Sequence, residues 1–271
     1  MIAGKPAGFE HRSASQQRRP GSRCWRGIET GAPEALLFVN GIARGMFDPN
    51  HPVRLLTMNA VAKEVLTIHL EAYAGHSYPG TQPYPKDGAL DDPGMQVLPG
   101  CRKIGRAESL TERPDVSAFV FELRALHQLT AAWDEHDLRR SRILAALAQV
   151  FTEVYAKPEE ADESDWRPAL ARARGLMAPL LASPAAPTIP TIGIVGHSHI
   201  DTAWLWPVAE TWRKLARTFS SVLSLMEQYP DFKFTQSAAY HSEIVRQLYP
   251  EIFERVKQRV AEGRWKINGA M

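Results

Sequence analysis

The chain has 271 residues, of which 44% are hydrophobic and 23% charged, and these fractions are typical of a globular protein. Its 32 Lys and Arg residues nearly balance 30 Asp and Glu residues, so the composition favours neither nucleic acid nor a membrane surface as a partner. No apolar run approaches the ~20 residues that span a bilayer, and no signal sequence is recognisable, so we expect a cytoplasmic protein.

The start of the chain differs from the rest in charge. Residues 1–26 carry six basic side chains and one acidic side chain, whereas the remaining chain has a small acidic excess. A solvated, unstructured start is favoured over a basic binding arm, because chain termini are commonly loose. We therefore predict that residues 1–33 are disordered.

Short apolar runs separated by turn-forming residues predict a β-domain over residues 34–116. The runs ALLFVNG, PVRLLTMN and KEVLTIHLEAYAG are rich in Val, Leu, Ile and Thr. In the last run, Leu66, Ile68 and Leu70 alternate with other residues, as in a half-buried antiparallel strand. We expect a β-sandwich-like accessory domain.

Helices are predicted over residues 117–181, where apolar residues recur every three or four positions. Leu126, Ile143 and Val150 belong to the first part of this pattern, and Leu170 and Met177 belong to the second. Residues 182–191 contain three prolines, and this composition predicts a semi-rigid linker.

A further domain is predicted over residues 192–271. The continuous apolar run IGIVG predicts a strand that is buried on both faces of a parallel sheet. Two helical stretches alternate with further strands in DFKFTQS and RWKINGAM, which gives a β-α-β-α-β order. This order begins either a doubly wound sheet or a barrel, and three strands do not close either one, so we expect a truncated architecture.

One polar cluster, GHSHIDTAWLWP, follows the first of these strands. The carboxyl ends of parallel strands carry the ligand sites of α/β folds, and alternate side chains of an extended segment point the same way. His197, His199 and Asp201 therefore converge, and imidazole with carboxylate suits an ion such as Zn²⁺. A metal needs about four ligands, so a hydrogen-bonded N-cap at the strand-to-helix turn stays open as an alternative.

From Ile192 to Met271 the sequence resembles the start of the catalytic domain of glycoside hydrolase family 38, the class II α-mannosidases, in their cytosolic and bacterial branch. The resemblance rests on the HxHxDxAWLWP block, the RTF and YPDFKFTQS runs, and EGRW before a Gly-Gly-Met-like turn. It implies a seven-stranded barrel-type catalytic domain and a retaining exo-glycosidase that removes terminal α-linked mannose from an α-mannoside substrate. A zinc ion in the mannose subsite is also implied. Separately from the resemblance, a homo-oligomer of the full-length enzyme is considered as a partner. Residues 34–181 resemble, less closely, the accessory region of the same branch.

The resemblance also implies roles for individual residues. His199 and Asp201 match metal ligands, Trp204 matches the wall of the sugar site, and His197 matches a supporting histidine. The nucleophilic aspartate follows the turn that here reads NGAM, where the sequence ends, and a retaining glycosidase needs two carboxyl groups. We therefore expect this chain to hold no catalytic residue and to be inactive alone.

Three other interpretations are weighed against this one. Asp201, Glu210 and Glu243 are candidates for replacement catalysts, although Glu210 is predicted to be a first-turn partner of the helix dipole and Glu243 a solvated helix residue. The HxHxD motif alone also fits a metal-dependent amidohydrolase or deacetylase-like enzyme. Finally, the chain fits a non-enzymatic fragment that binds carbohydrate or a partner protein through its β-domain.

Overall fold

The computed structural model describes residues 23–73, 103–155, 162–184, 190–204 and 206–269, together with the backbone of residues 7–14. An all-β start, three helices and an α/β end follow one another, so the predicted mixed architecture is confirmed. These elements form two compact units, one of residues 1–111 with 193–271 and one of residues 112–192. We call them the β/α unit and the helical unit.

The first part of the β/α unit consists of two antiparallel sheets. Their strands are β1 (Ala7–Ala14), β2 (Cys24–Ile28), β3 (Ala35–Val39), β4 (Ile42–Phe47), β5 (Val53–Thr57), β6 (Val65–Ala72) and β7 (Ala107–Thr111). The strand orders are β1-β6-β3-β4 and β5-β2-β7. Cys24 and Leu56 from one sheet share a hydrophobic core with Leu37 and Ile68 from the other. Two sheets around one core form a sandwich.

The prediction that residues 1–33 are disordered is wrong for the two segments that form β1 and β2. β1 pairs with β6, and β2 is the central strand of its sheet, between β5 and β7. The buried side of β2 carries Arg26 between Cys24 and Ile28, and Arg26 Nη1 donates a hydrogen bond to Ser109 Oγ on β7 at 2.7 Å. A buried arginine is tolerated because a partner satisfies it, and its charge conceals the strand in the sequence.

The helical unit contains α1 (Pro114–Ala132), α2 (Leu138–Glu153) and α3 (Glu163–Leu181). The core residues expected from the spacing are all buried, with at most 4% of their surface exposed: Leu126, Ile143, Val150, Leu170 and Met177. Within the described ranges, no helix combines the length and apolarity that a bilayer crossing requires. Residues 185–189 of the predicted linker lie outside the described residues.

The second part of the β/α unit alternates strands and helices in the predicted order. Its elements are β8 (Gly196–His197), α4 (Val208–Gln228), β9 (Phe234–Gln236), α5 (Ala239–Leu248), α6 (Pro250–Ala261) and β10 (Trp265–Ile267). β8 and β10 both pair in parallel with β9, so the carboxyl ends of all three strands lie on the same side of the sheet, which we call its carboxyl end. A barrel and one half of a doubly wound sheet share this sequential order, so the barrel stays a prediction.

The first of these strands is much shorter than predicted. Only Gly196 and His197 pair with β9, while Ile192 and Ile194 are 79% and 91% exposed. The prediction that IGIVG forms a strand buried on both faces is therefore wrong for the described part of the chain. Burial of such a run requires neighbours on both sides of the strand, and β8 lies at the edge of its sheet.

Helix α4 connects the sandwich with the parallel sheet. Its buried Leu215 and Phe219 share a core with Leu36 of β3 and with Trp265 of β10. Because side chains alternate along a strand, Leu37 of β3 faces the sandwich core while Leu36 contacts the α4 side. Burial on both faces explains why ALLFV is continuously apolar.

Candidate functional site

The segment between β8 and α4 lies at the carboxyl end of the parallel sheet and contains the predicted metal ligands. His199 Nε2 and Asp201 Oδ1 are 3.1 Å apart, and their side chains are 79% and 41% exposed. His197 is exposed at the end of β8, and the described contacts include no hydrogen bond from it to His199 or Asp201. The structure thus brings together two of the three clustered residues.

The donor atoms of this pair suit a zinc ion. Imidazole nitrogen and carboxylate oxygen bind zinc at 2.0–2.2 Å, which places neighbouring donors of a tetrahedron roughly 3.3 Å apart. The observed separation of 3.1 Å is a hydrogen-bond distance between the two groups, and it is also close to the spacing of two such neighbouring positions. Among the residues that the structure describes, no group of three or more His, Cys, Asp and Glu side chains is placed to hold a metal ion. The described residues therefore supply two of the four donors that such a site needs.

Two tryptophans follow the pair. Trp204 is 39% exposed and contacts Trp206 edge-on, with ring centroids 5.9 Å apart. The backbone N–H of Trp204 also donates to the carbonyl oxygen of Trp206 at 3.3 Å. An accessible aromatic ring close in sequence to convergent polar groups is typical of a small-ligand site.

Thr211, which is fully buried in the first turn of α4, holds this loop from behind. Its hydroxyl accepts a hydrogen bond from Trp206 Nε1 at 2.9 Å. The same hydroxyl is within donating distance of the carbonyl oxygens of Asp201, at 3.3 Å, and Thr202. The backbone that carries the Asp201 carboxylate is therefore fixed to α4.

The sequence did not predict two buried polar residues at the same carboxyl end of the sheet, Gln236 and His241, each 2% exposed. Gln236 Nε2 lies 3.3 Å from His241 Nδ1, and His241 Nε2 lies 3.5 Å from Thr202 Oγ1. Burial lowers the pKa of His241, and the nearby His199 imidazole lowers it further. The rule that selected His197 at a strand end applies equally to Gln236 at the end of β9, whereas no sequence pattern marks His241.

The two glutamates considered as replacement catalysts both bind arginines. Glu243 is 2.6 Å from Arg246 on the surface of α5, as expected of a solvated helix residue. Glu210 lies in the first turn of α4, but it is 1% exposed and forms an ion pair with Arg217. A buried ion pair, in addition to the helix dipole, therefore compensates its charge.

Comparison with known proteins identifies the segment that carries this site. Residues 190–271 match the glycosyl hydrolases family 38 N-terminal domain. The chain is 45% identical over 75 residues to α-mannosidase G of Dictyostelium discoideum and to α-mannosidase 2C1 of Homo sapiens. It is 47% identical over 62 residues to an α-mannosidase of Saccharomyces cerevisiae.

These alignments cover 23–28% of this chain but only 6–7% of the length of the relatives. The family match contains the His199–Asp201 pair, Trp204 and all of the parallel sheet. It confirms the resemblance that the sequence motifs indicated. Residues 190–271 are therefore similar to the N-terminal domain of family 38 glycosyl hydrolases and to the matching stretch of these α-mannosidases.

Proposed function

We propose that the protein containing this chain is a retaining α-mannosidase that removes terminal α-linked mannose from glycans or oligosaccharides. The observation that carries the proposal is the 3.1 Å approach of His199 to Asp201 within the segment that matches the family. Resemblance to the cytosolic and bacterial branch supports a cytoplasmic location.

In this proposal the loop between β8 and α4 forms part of the mannose subsite. His199 and Asp201 hold one zinc ion, Trp204 covers the apolar side of the sugar, and His197 supports the loop. A bound zinc ion would attract neighbouring sugar hydroxyls and favour distortion of the ring toward an oxocarbenium-like state. Thr211 contacts the backbone carbonyl oxygen of Asp201, so the backbone that carries the carboxylate need not become ordered when the ligand binds.

The contacts of the three carboxylates considered as catalysts lead us to expect no hydrolysis by the 271-residue chain alone. A retaining glycosidase needs two carboxyl groups about 5–5.5 Å apart, one as nucleophile and one as acid and base. Asp201 is assigned to the metal, Glu210 is bound to Arg217, and Glu243 is bound to Arg246. An aryl α-mannoside should therefore remain intact when it is incubated with this chain and zinc.

Titration of the metal-stripped chain with zinc in a calorimeter tests the metal site. We expect the wild type to bind one zinc ion, and we expect His199→Ala and Asp201→Asn to weaken binding by more than tenfold. Both variants should unfold within about 0.5 kcal/mol of the wild type without metal, because both side chains are substantially exposed.

His136→Ala is a matched control, because His136 is also exposed, at 86% of its side chain, but lies in the helical unit. If His136→Ala lowers zinc binding as much as His199→Ala does, zinc binds surface histidines and the assigned site is wrong.

The activity is tested on the protein isolated from its natural source with an antibody against this chain. We expect release of mannose from an aryl α-mannoside with retention of the anomeric configuration, followed by NMR. Absence of α-mannoside hydrolysis, or inversion of configuration, would contradict the proposed function.

A further inference from the structure

A cluster of charged side chains is enclosed between the sandwich and the first turns of α4. Glu34, which directly precedes β3, places its two carboxylate oxygens 2.6 Å from Lys214 Nζ and 2.7 Å from Arg217 Nε. Arg217 also binds Glu210. The side chains of Glu34, Lys214 and Arg217 are only 9%, 14% and 1% exposed. Since buried charges depend on their partners, the Glu34 carboxylate fixes the positions of both cations.

Lys214 connects this cluster to the loop that carries the metal ligands. Its ammonium lies 4.6 Å from the centroid of the Trp206 ring, a cation–π distance. The Trp206 indole donates to the Thr211 hydroxyl, which contacts the carbonyl oxygen of Asp201. A continuous series of contacts therefore leads from Glu34 to Asp201, and all of it lies within the β/α unit.

We propose that Glu34 is a positioning residue for the His199–Asp201 metal pair. By holding Lys214 against Trp206, Glu34 stabilises the Thr211 hydrogen bonds and so the orientation of the Asp201 carboxylate. This inference rests on the proposed function, in which the pair binds zinc. Because Glu34 precedes the family match that begins at residue 190, the inference gives the sandwich a part in forming the site.

Glu227 provides a matched control on the same helix. Near the other end of α4 it binds Arg44 of β4 at 2.6 Å and Arg255 of α6 at 3.2 Å. It therefore also connects α4 to the sandwich by an ion pair, but its described contacts do not lead to the metal loop. If Glu34 has only a structural role, replacing Glu34 and replacing Glu227 should change zinc affinity to the same extent.

The first experiment measures zinc affinity by competition with a coloured chelator, well below the unfolding temperature of each variant. Glu34→Gln should weaken zinc binding by about tenfold, the lower end of the effect of residues that orient metal ligands. Glu227→Gln should change it by less than about twofold if only stability is affected. Equal zinc affinities of the two variants would overturn the inference.

Lys214 variants test the same path where Glu34→Gln does not fold. Lys214→Met removes the cation at the Trp206 ring but leaves Glu34 bound to Arg217, and it should weaken zinc binding in the same direction. Lys214→Arg keeps a cation that can stack on the ring, so it should restore most of the affinity. If Lys214→Met binds zinc as the wild type does, the path through Trp206 is wrong.

A metal-free measurement separates failure of this inference from failure of the proposed function. NMR follows hydrogen exchange of the Trp206 indole N–H, assigned with Trp206→Phe, in protein without zinc. We expect at least threefold faster exchange in Glu34→Gln and no change in Glu227→Gln. If the wild type binds no zinc, the assigned metal pair is wrong, and with it the metal part of this inference, whereas the proposed function is tested separately by α-mannoside hydrolysis. If exchange in Glu34→Gln is unchanged, Glu34 does not hold the loop, whatever zinc does.

Discussion

The buried side of α4 and the carboxyl end of the parallel sheet belong to one unit, but their side chains differ in solvent exposure. On α4, Leu215, Arg217 and Phe219 are at most 1% exposed and each contacts neighbouring elements. At the carboxyl end of the sheet, the side chain of His199 is 79% exposed and Trp204 is 39% exposed. The first region stabilises the unit, and the second presents the residues that we propose to bind the ligand.

This difference indicates that stability and binding can be separated by mutation. A buried side chain loses its packing or ion pair when it is replaced, whereas an accessible donor loses mainly its ligand. The two regions meet at Thr211, which is buried in α4 and bonds to the backbone of the loop. Substitutions on either side of Thr211 therefore test how far the separation extends.

Arg217→Met carries the largest expected effect on stability. The guanidinium binds Glu34 and Glu210, and its removal leaves Glu34 with Lys214 and Glu210 with the more distant Arg213, 3.5 Å away. Breaking a buried ion pair by removing one partner costs about 3–5 kcal/mol. We expect a decrease of that size in the free energy of unfolding, measured by urea denaturation.

Arg167→Met in the helical unit is the corresponding exposed change. Arg167 is 40% exposed and pairs with Glu163 at 3.2 Å and Asp115 at 3.6 Å. An exposed ion pair contributes at most about 1 kcal/mol. Comparable losses from the two arginine variants would show that burial does not distinguish these regions.

Gly45→Ala is expected to have an intermediate effect. Gly45 in β4 has a φ of +129°, and an added Cβ would lie 3.3 Å from Ser221 Oγ and 3.4 Å from Ser221 Cα on α4. The neighbouring Met46 N–H donates to that hydroxyl at 3.1 Å, so the strand cannot move away without weakening this bond. Backbone strain together with overpacking should cost about 2–3 kcal/mol in thermal or urea unfolding.

Gly41→Ala is the control for strain without packing. Gly41 has a φ of +81° in the β3–β4 turn, and no atom lies within 4 Å of an added Cβ. Its cost should be about 1 kcal/mol, from the left-handed backbone alone. If both alanines cost the same, the close approach of β4 to α4 contributes nothing to stability.

The elements that could be predicted from the sequence are those with regular apolar spacing. α4 repeats its apolar residues at helical intervals, and β6 alternates Leu66, Ile68 and Leu70, all of which are buried. β2 was missed because Arg26 occupies a buried position, and its partner Ser109 is 83 residues away. The prediction for IGIVG was wrong for the opposite reason. The run is apolar, but apolar residues are buried only where neighbouring elements cover them.

The same distinction applies to the site. His199 and Asp201 are two residues apart, so their convergence depends on local geometry that the sequence displays. His241 contacts Thr202 from α5, and Glu34 contacts Lys214 from the start of β3, so both positions depend on how α5 and the sandwich pack. Such long-range contacts between single polar residues leave no periodic pattern in the sequence.

The smallest expected effect comes from Glu243, on the exposed surface of α5. Hydrogen bonds from Arg246 and Gln247 lower the pKa of Glu243 from 4.5 to about 2. A carboxyl group whose pKa is lower in the folded protein adds stability above its unfolded pKa, and that stability is lost as the pH falls through the folded pKa. The contribution of Glu243 should therefore disappear between pH 4.5 and pH 2.

Thermal unfolding of the wild type and Glu243→Gln across this pH range tests the expectation. The wild type should melt slightly higher at pH 5, and the difference should shrink as the pH falls, because protonated Glu243 resembles glutamine. Arg246→Gln should reproduce the variant, and 1 M salt should reduce the difference, since exposed charges are screened. The destabilisation by Arg217→Met should persist in the same salt, because its partners are buried. If salt removes the destabilisation by Arg217→Met but leaves that by Glu243→Gln unchanged, the contrast between buried and exposed charges is wrong.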